Sequence, residues 1–257
     1  RGERLVNWDS TLLTAISDDE IVNDERTGQL WHIKYPVVGG ADFITIATTR
    51  PETLLGDTAV AVHPEDDRYK KLVGKKIKLP LTDREIPIIA DEYVKMDFGS
   101  GAVKITPAHD FNDFEVGKRH NLPLINILNP NGTLNEAAPK KYQGMDRFAA
   151  RKQILKDLKE LGVFEKEESH KMVVPISDRS KDVIEPRLSK QWYLSMKELV
   201  KPAIKAAHDD KVNFYPDNWK KTYLYWLENI QDWCISRQLW WGHQIPIWYC
   251  KDCNETT

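Results

Sequence analysis

The sequence predicts a mixed, mainly β fold: a β-barrel with peripheral helices, followed by a helical connector on the C-terminal side. Three observations lead there. Short runs rich in β-branched residues recur between Gly, Pro, Asp and Asn turns. Trp31, Ile33, Tyr35 and Val37 alternate with His32, Lys34 and Pro36, the period of a half-buried strand. Helical spacing becomes common only in the last third. Many short strands joined by tight turns favour closure into a barrel, and 257 residues with 41% hydrophobic content are enough for a sizeable core.

Taken in order, residues 1–28 read as strand and turn, with Thr27-Gly28 as a turn signal. After the alternating strand, Phe43 to Ala47, Thr58 to Val62, Ile77 to Leu79, Ile86 to Ala90, Ala102 to Thr106 and Leu124 to Ile127 read as further strands. Phe148, Ile154, Leu155, Leu158 and Leu161 share helical spacing between an N-cap at Asp146 and a terminating Gly162, giving a helix that covers the barrel. Beyond Pro175, Ser195 and Glu198 fit a capping box, and Pro202 kinks or restarts that helix. Trp219, Tyr223, Trp226, Leu227 and Ile230 form one apolar face, read as core packing rather than a stacking surface for bases. The expected organisation is a connector at 1–28, the barrel at 29–176 and a second connector at 177–257. The chain opens on Arg1 without an initiator Met and ends on Glu255-Thr256-Thr257, which suggests a piece of a longer protein.

Composition excludes several classes. No apolar run approaches the roughly 20 residues that span a bilayer, and Arg1-Gly2-Glu3-Arg4 has no signal-peptide pattern. Three cysteines without a secretory signal fit a reducing cytoplasm and no disulfide framework. Cys250-x-x-Cys253 is half of a tetrahedral zinc site and lacks a second pair, so zinc is expected only in a full-length protein. A net charge of −2 gives little overall attraction to phosphate. Lys70-Lys71 with Lys75, Lys76 and Lys78, then Lys140-Lys141 and Lys220-Lys221, are either local RNA contacts or solvated faces.

Two segments carry the chemistry. Thr48-Thr49-Arg50-Pro51-Glu52-Thr53-Leu54-Leu55-Gly56-Asp57 and Gly99-Ser100-Gly101-Ala102-Val103-Lys104-Ile105-Thr106-Pro107-Ala108-His109-Asp110-Phe111-Asn112-Asp113-Phe114 each join an apolar strand to a turn crowded with hydroxyls, carboxylates and a cation. Together they resemble the editing insertion, or connective polypeptide domain, of the class I aminoacyl-tRNA synthetases for valine, leucine and isoleucine. The likeness runs over nearly the whole chain. Arg4-Leu5-Val6-Asn7-Trp8-Asp9, Arg50-Pro51-Glu52 and Asp232-Trp233-Cys234-Ile235-Ser236-Arg237-Gln238-Leu239-Trp240-Trp241-Gly242-His243-Gln244-Ile245-Pro246 look like the valyl form. The class I signatures His-x-Gly-His and Lys-Met-Ser-Lys-Ser are absent, so no amino-acid activation is expected.

The resemblance implies hydrolysis of threonine wrongly esterified to valine tRNA, with the tRNA acceptor end and the rest of the synthetase chain as partners and no cofactor. An apolar pocket cannot strongly reject an isostere that adds only a hydroxyl, the valyl enzyme being the standard worked case of that limit. A second site must therefore require the hydroxyl. In relatives, the position of Asp113 anchors the α-ammonium by a charge-assisted hydrogen bond, and Asp110, Lys104 and Thr106 line the threonine pocket. An N-cap role fits Asp110 or Asn112 better than Asp113. Thr48, Thr49 and Thr53 offer hydroxyls beside Arg50 that orient the ester as its oxyanion develops. Arg50 either reaches the phosphate or ribose end of the substrate or pairs with Glu52 or Asp57. His109 either orients its loop or acts as base. No nucleophilic triad is visible, so direct attack by water, assisted by the free ribose hydroxyl, is the expected mechanism. Two rival readings stay open: a catalytically inactive tRNA-contacting connector module, and a leucyl or isoleucyl type of editing domain.

Overall fold

The computed structural model describes residues 1–253 and 256; the last connector positions expected from the sequence, Asn254, Glu255 and Thr257, lie outside the described residues. The chain divides into two compact units, Leu5–Leu188 and Arg1–Arg4 with Ser189–Thr257.

The larger unit is built around one long ribbon. Strand β3, Ile21–Pro36, pairs antiparallel with β4, Phe43–Thr48, through its second half. It also pairs along nearly its whole length with β9, Phe164–Ser177. A four-stranded sheet follows, in the order β6 (Lys76–Lys78), β7 (Glu85–Ala90), β5 (Ala59–Val62), β8 (Ala102–Ile105), with β5 and β7 parallel. Strand β1, Gly2–Asp9, pairs with β2, Thr14–Ile16, in a third sheet completed by β10, Glu185–Gln191. The predicted mixed, mainly β class holds, but no sheet closes into a barrel. Among the described residues a bridge between Val37 and Ile77 joins two sheets at one end, while β4 lies beside β8 without a ladder of hydrogen bonds. The sheets enclose a core in which Ile33, Tyr35, Ile44, Ile46, Ile77, Ile88 and Ile127 are fully buried.

Helix α1, Phe111–Arg119, begins at Asp110, whose carboxylate accepts the N–H groups of Asn112 and Asp113. Helix α2, Arg147–Glu160, begins where the sequence places it: Asp146 accepts from Phe148 and Ala149, and Ala150, Ile154 and Leu158 face the core.

Three further expectations fail. Thr27-Gly28 is not a turn: β3 runs through it, with Gly28 opposite His170. The flexible Met172 side chain lies over the open face of Gly28, its Sδ 2.3 Å from where a Cβ would stand. Leu124 to Ile127 forms no strand, because side chains satisfy its backbone: Ile127 N–H donates to His109 Nε2 at 3.0 Å and Asn126 C=O accepts from Asn135 Nδ2 at 2.9 Å. The capping box is absent, since Ser195 caps nothing and Glu198 pairs with Lys201.

In the smaller unit, β11 (Tyr193–Leu194) pairs with β12 (Trp233–Cys234), and the buried Ser236 accepts Trp192 N–H at 2.8 Å while bonding Gln191 Oε1 at 2.5 Å. Helices α3 (Met196–Leu199) and α4 (Lys201–His208) meet at Val200, with Pro202 in the first turn of α4 as expected. Helix α5, Asn218–Glu228, buries none of its residues: Trp219 and Trp226 are 56% and 70% exposed, which overturns the reading of that face as packed core. No helix among the described residues is long and apolar enough to cross a membrane.

Candidate functional site

The two chemistry-bearing segments meet in the larger unit. Strand β4 ends at Thr48, whose Oγ1 accepts Arg50 N–H at 3.0 Å, and a 3-10 helix then runs from Pro51 to Gly56. Proline in its first turn suits a position where an N–H has no helical partner. Strand β8 lies antiparallel to β5, with Lys104 opposite Val60, and delivers Thr106 beside that 3-10 helix. Gly101, before β8, takes φ +75° and carries Arg68 above it, a close approach that a Cβ would block at 2.2 Å.

Lys104 is the hub. Its Nζ donates to Thr53 Oγ1 at 2.8 Å, Asp57 Oδ1 at 3.2 Å and Thr106 Oγ1 at 2.5 Å, committing all three protons. Thr106 Oγ1 donates to Asp57 Oδ1 at 2.6 Å, and Tyr35 OH donates to Asp57 Oδ2 at 2.7 Å. Thr53 Oγ1 donates to Arg50 C=O at 3.0 Å. Burial pushes the Asp57 carboxyl up; Lys104, Thr106 and Tyr35 pull it back.

Asp113 stands next to this network. Its Oδ2 accepts Thr106 N–H at 2.8 Å and the residue is 5% exposed. Burial raises its carboxyl to about 7, Lys104 opposing and Asp110 adding to the rise. Asp110 is exposed and spends one oxygen on the α1 cap. Thr49 is half-buried on the turn between Thr48 and Arg50, its hydroxyl unpartnered among the described residues.

Arg50 belongs to a buried charge network. It donates to Glu52 at 3.4 Å, to His109 C=O at 3.0 Å and, in a short contact, to Glu185. Of the two pairings expected from sequence, the one with Glu52 forms and the one with Asp57 does not. Glu52 is also held by Arg151 at 2.7 and 2.8 Å, and Glu185 by Arg147 at 3.1 Å. His109 is buried; its Nε2 accepts Ile127 N–H, and burial together with Arg50, Lys104 and Arg187 drives its pKa well below the usual value. With that nitrogen occupied and the ring neutral, His109 holds the Leu124–Ile127 segment in this structure.

The structure therefore brings together Thr53, Lys104, Thr106 and Asp113 directly, with Thr48, Arg50, His109 and Asp110 around them. Sequence reasoning missed Tyr35 and Glu185 and placed Asp57 only as a candidate partner of Arg50. Asp57 had a faint signal, a carboxylate closing the Thr-rich motif; Glu185, 135 residues from Arg50, had none. Elsewhere, Lys70, Lys76, Lys141 and Lys220 pair with Asp67, Glu85, Asp157 and Asp210, so these clusters are partly neutralised. Cys250 and Cys253 are exposed, and no group of three or more His, Cys, Asp or Glu side chains gathers at a metal-sized site among the described residues.

The family model described as tRNA synthetases class I (I, L, M and V) matches residues 1–257. A valine–tRNA ligase of Francisella tularensis is 61% identical over 254 residues, covering 99% of this chain and 28% of the relative. Relatives of the same name from Geobacillus kaustophilus and Clostridium tetani are 61% and 59% identical over 256 residues, each covered to 29% of its length. The chain thus spans under a third of these relatives. A match over every residue of the chain, with the long motifs inside it, makes the chain a member of the class I tRNA synthetases of the isoleucine, leucine, methionine and valine group.

Proposed function

We propose that this chain is the editing domain of a valine–tRNA ligase, hydrolysing the ester that links threonine to mischarged valine tRNA. The observation that carries the reading is the polarity of the cluster around Lys104. Lys104 has no free proton, and Thr53 and Thr106 have each spent their own proton on Arg50 C=O and Asp57. Each threonine hydroxyl keeps one acceptor lone pair. A wall that only accepts rewards a ligand side chain that donates, as a threonine hydroxyl does and a valine methyl cannot. An unmet buried partner costs about 1 to 3 kcal/mol, which separates the two substrates.

Asp113 supplies the second contact. Its carboxylate keeps Oδ1 for the α-ammonium while Oδ2 holds Thr106 N–H, so the same residue ties the amino group to the hydroxyl-reading wall. Thr48 and Thr49 orient the ester on the turn before Pro51, and water attacks with the neighbouring ribose hydroxyl assisting. The protein supplies positioning and charge complementarity. The domain comprises residues 29–176 with connectors at 1–28 and 177–257. Its partners are the acceptor end of valine tRNA and the rest of the ligase chain in the cytoplasm, and it needs no cofactor; Cys250 and Cys253 complete a zinc site only in the full-length protein.

Single-turnover deacylation tests the reading. Threonyl-tRNA is expected to be cleaved far faster than valyl-tRNA, with EDTA present and without effect. Equal rates for the two esters, or no cleavage of either by this chain or the full-length ligase, would sink it.

A further inference from the structure

The cluster around Lys104 rests on two residues that no substrate reaches. Asp57 and Tyr35 are fully buried, whereas the Lys104 side chain keeps 11% of its surface. Asp57 follows the 3-10 helix Pro51–Gly56 and is fixed through its backbone. Its N–H donates to Leu54 C=O at 3.0 Å, and its C=O accepts Arg84 Nη1 at 2.8 Å. Arg84 Nη2 donates to Leu55 C=O in a short contact, so one guanidinium holds the end of that helix. Tyr35 stands on β3 opposite Ile44 of β4, with its ring in the apolar core. Its hydroxyl meets Asp57 Oδ2 at 2.7 Å, which spares it the cost of a buried donor without a partner.

Charge makes this carboxylate the reference point of the cluster. Among the described residues Asp57 is the one carboxylate that pairs with Lys104, so a buried ammonium at 104 demands an ionised Asp57. An ionised carboxylate only accepts. Thr106 therefore turns its own proton to Asp57 Oδ1 at 2.6 Å and meets Lys104 Nζ with a lone pair. Tyr35 holds the carboxylate from the other side, taking Oδ2 and leaving Oδ1 to Lys104 and Thr106. Burial and the Asp57 charge push the Tyr35 hydroxyl well above its ordinary pKa, so it stays a donor. Beside a neutral amide at 57, the Thr106 proton would be free to turn outward, and the cluster would serve an acceptor as well as a donor.

We propose that Tyr35 and Asp57 are a pair of positioning residues that determine specificity: without touching substrate, they set the direction of the hydrogen bonds at Lys104 and Thr106, so that the cluster accepts a proton from the amino-acid side chain and offers none. The inference rests on the editing reading for its two substrates, a hydroxyl-bearing aminoacyl ester and its apolar isostere. It adds the residues on which their discrimination depends. Asp113 is bonded to Thr106 through the backbone N–H and not through the hydroxyl, so the amino-group contact is separate from the pair.

Single-turnover deacylation of threonyl-tRNA and valyl-tRNA by the full-length ligase carrying Tyr35→Phe or Asp57→Asn tests it. Tyr35→Phe keeps the ring in the core and frees Oδ2, and the threonyl-to-valyl rate ratio is expected to fall about threefold or more. Asp57→Asn keeps the shape, removes the counter-charge and puts a donor into the cluster, and the ratio should fall about tenfold or more. In both, the fall comes from slower threonyl cleavage, with the amino-group contact intact. Circular dichroism shows which variants fold; if one does not, the other decides. An unchanged ratio in either folded variant, an equal loss on both esters, or loss of the fold in both variants assigns the pair a structural role only and overturns the proposal. A wild-type ligase that cleaves both esters equally or neither overturns the editing reading, and this inference with it; a wild-type preference that survives in the variants overturns this inference alone.

Discussion

Asp113 combines two demands that pull against each other. Burial at 5% exposure favours the neutral acid, while the bond to Thr106 N–H and the proposed ammonium contact favour the carboxylate. In the proposed reading, an ammonium-bearing substrate would settle the contest by bringing its own positive charge. Removing one partner of such a desolvated pair costs about 2 to 5 kcal/mol, so Asp113→Ala is expected to slow single-turnover editing roughly 30-fold to several thousandfold while the fold persists. Asp113→Asn keeps the shape and loses the charge, and it should fall in the same range. Editing within a few-fold of wild type in either variant, with an unchanged circular dichroism spectrum, would remove Asp113 from the role of anchor.

Helix α1 is the element that aims Asp113, and Asp110 is what starts it. Its Oδ1 takes the N–H groups of Asn112 and Asp113, leaving the other oxygen for the pocket. At the far end Asp91 grips Arg119 at 2.9 Å and His120 at 2.8 Å. Asp110→Ala is expected to cost about 1 kcal/mol of stability as a lost cap. Asp110→Ser, which restores a cap without a charge, should recover the melting temperature but not the preference for threonyl over valyl ester; recovery of both would reduce Asp110 to a cap alone. Elements like this were legible because their signals are local. Asp146 and Gly162 bracket α2, and Ile33 and Tyr35 mark the buried face of β3, although His32, expected on the opposite face, is buried as well. What failed depended on partners far along the chain. Met172 crosses Gly28 from 144 positions away, as the numbering shows, and His109 occupies the backbone of Ile127. In the site, Lys104, Thr106 and Asp113 were legible as a motif, whereas the hydroxyl of Tyr35 looked like one more strand residue until Asp57 was seen beneath it.

Over the whole molecule, the raised carboxyls leave a mark on stability. The folded state holds a proton on Asp113 up to about pH 7, whereas the unfolded chain releases it near the ordinary value of 3.8. Folding therefore binds a proton in that window, and stability falls as pH rises through it. Asp57 and Glu185 are shifted in the same direction by burial; Asp9, Glu52 and Asp91 are shifted down and act oppositely at acid pH. Asp113→Asn has no proton to lose, so its melting temperature relative to wild type should climb between pH 5 and pH 8, the window between the ordinary carboxyl range and the raised value of about 7. A flat difference across that range would show that Asp113 is not held protonated by the fold. The buried network around Arg50 has a consequence of another kind. Glu185 lies 135 residues after Arg50. At about 5 to 20 residues per second, a ribosome needs roughly 7 to 27 s to make the second after the first. At the start of that interval only the strands up to β4 exist and Glu52 is made almost at once, but Glu185, the second carboxylate on Arg50, closes the interval, so the network around Arg50 is among the last parts of this unit to mature on the nascent chain.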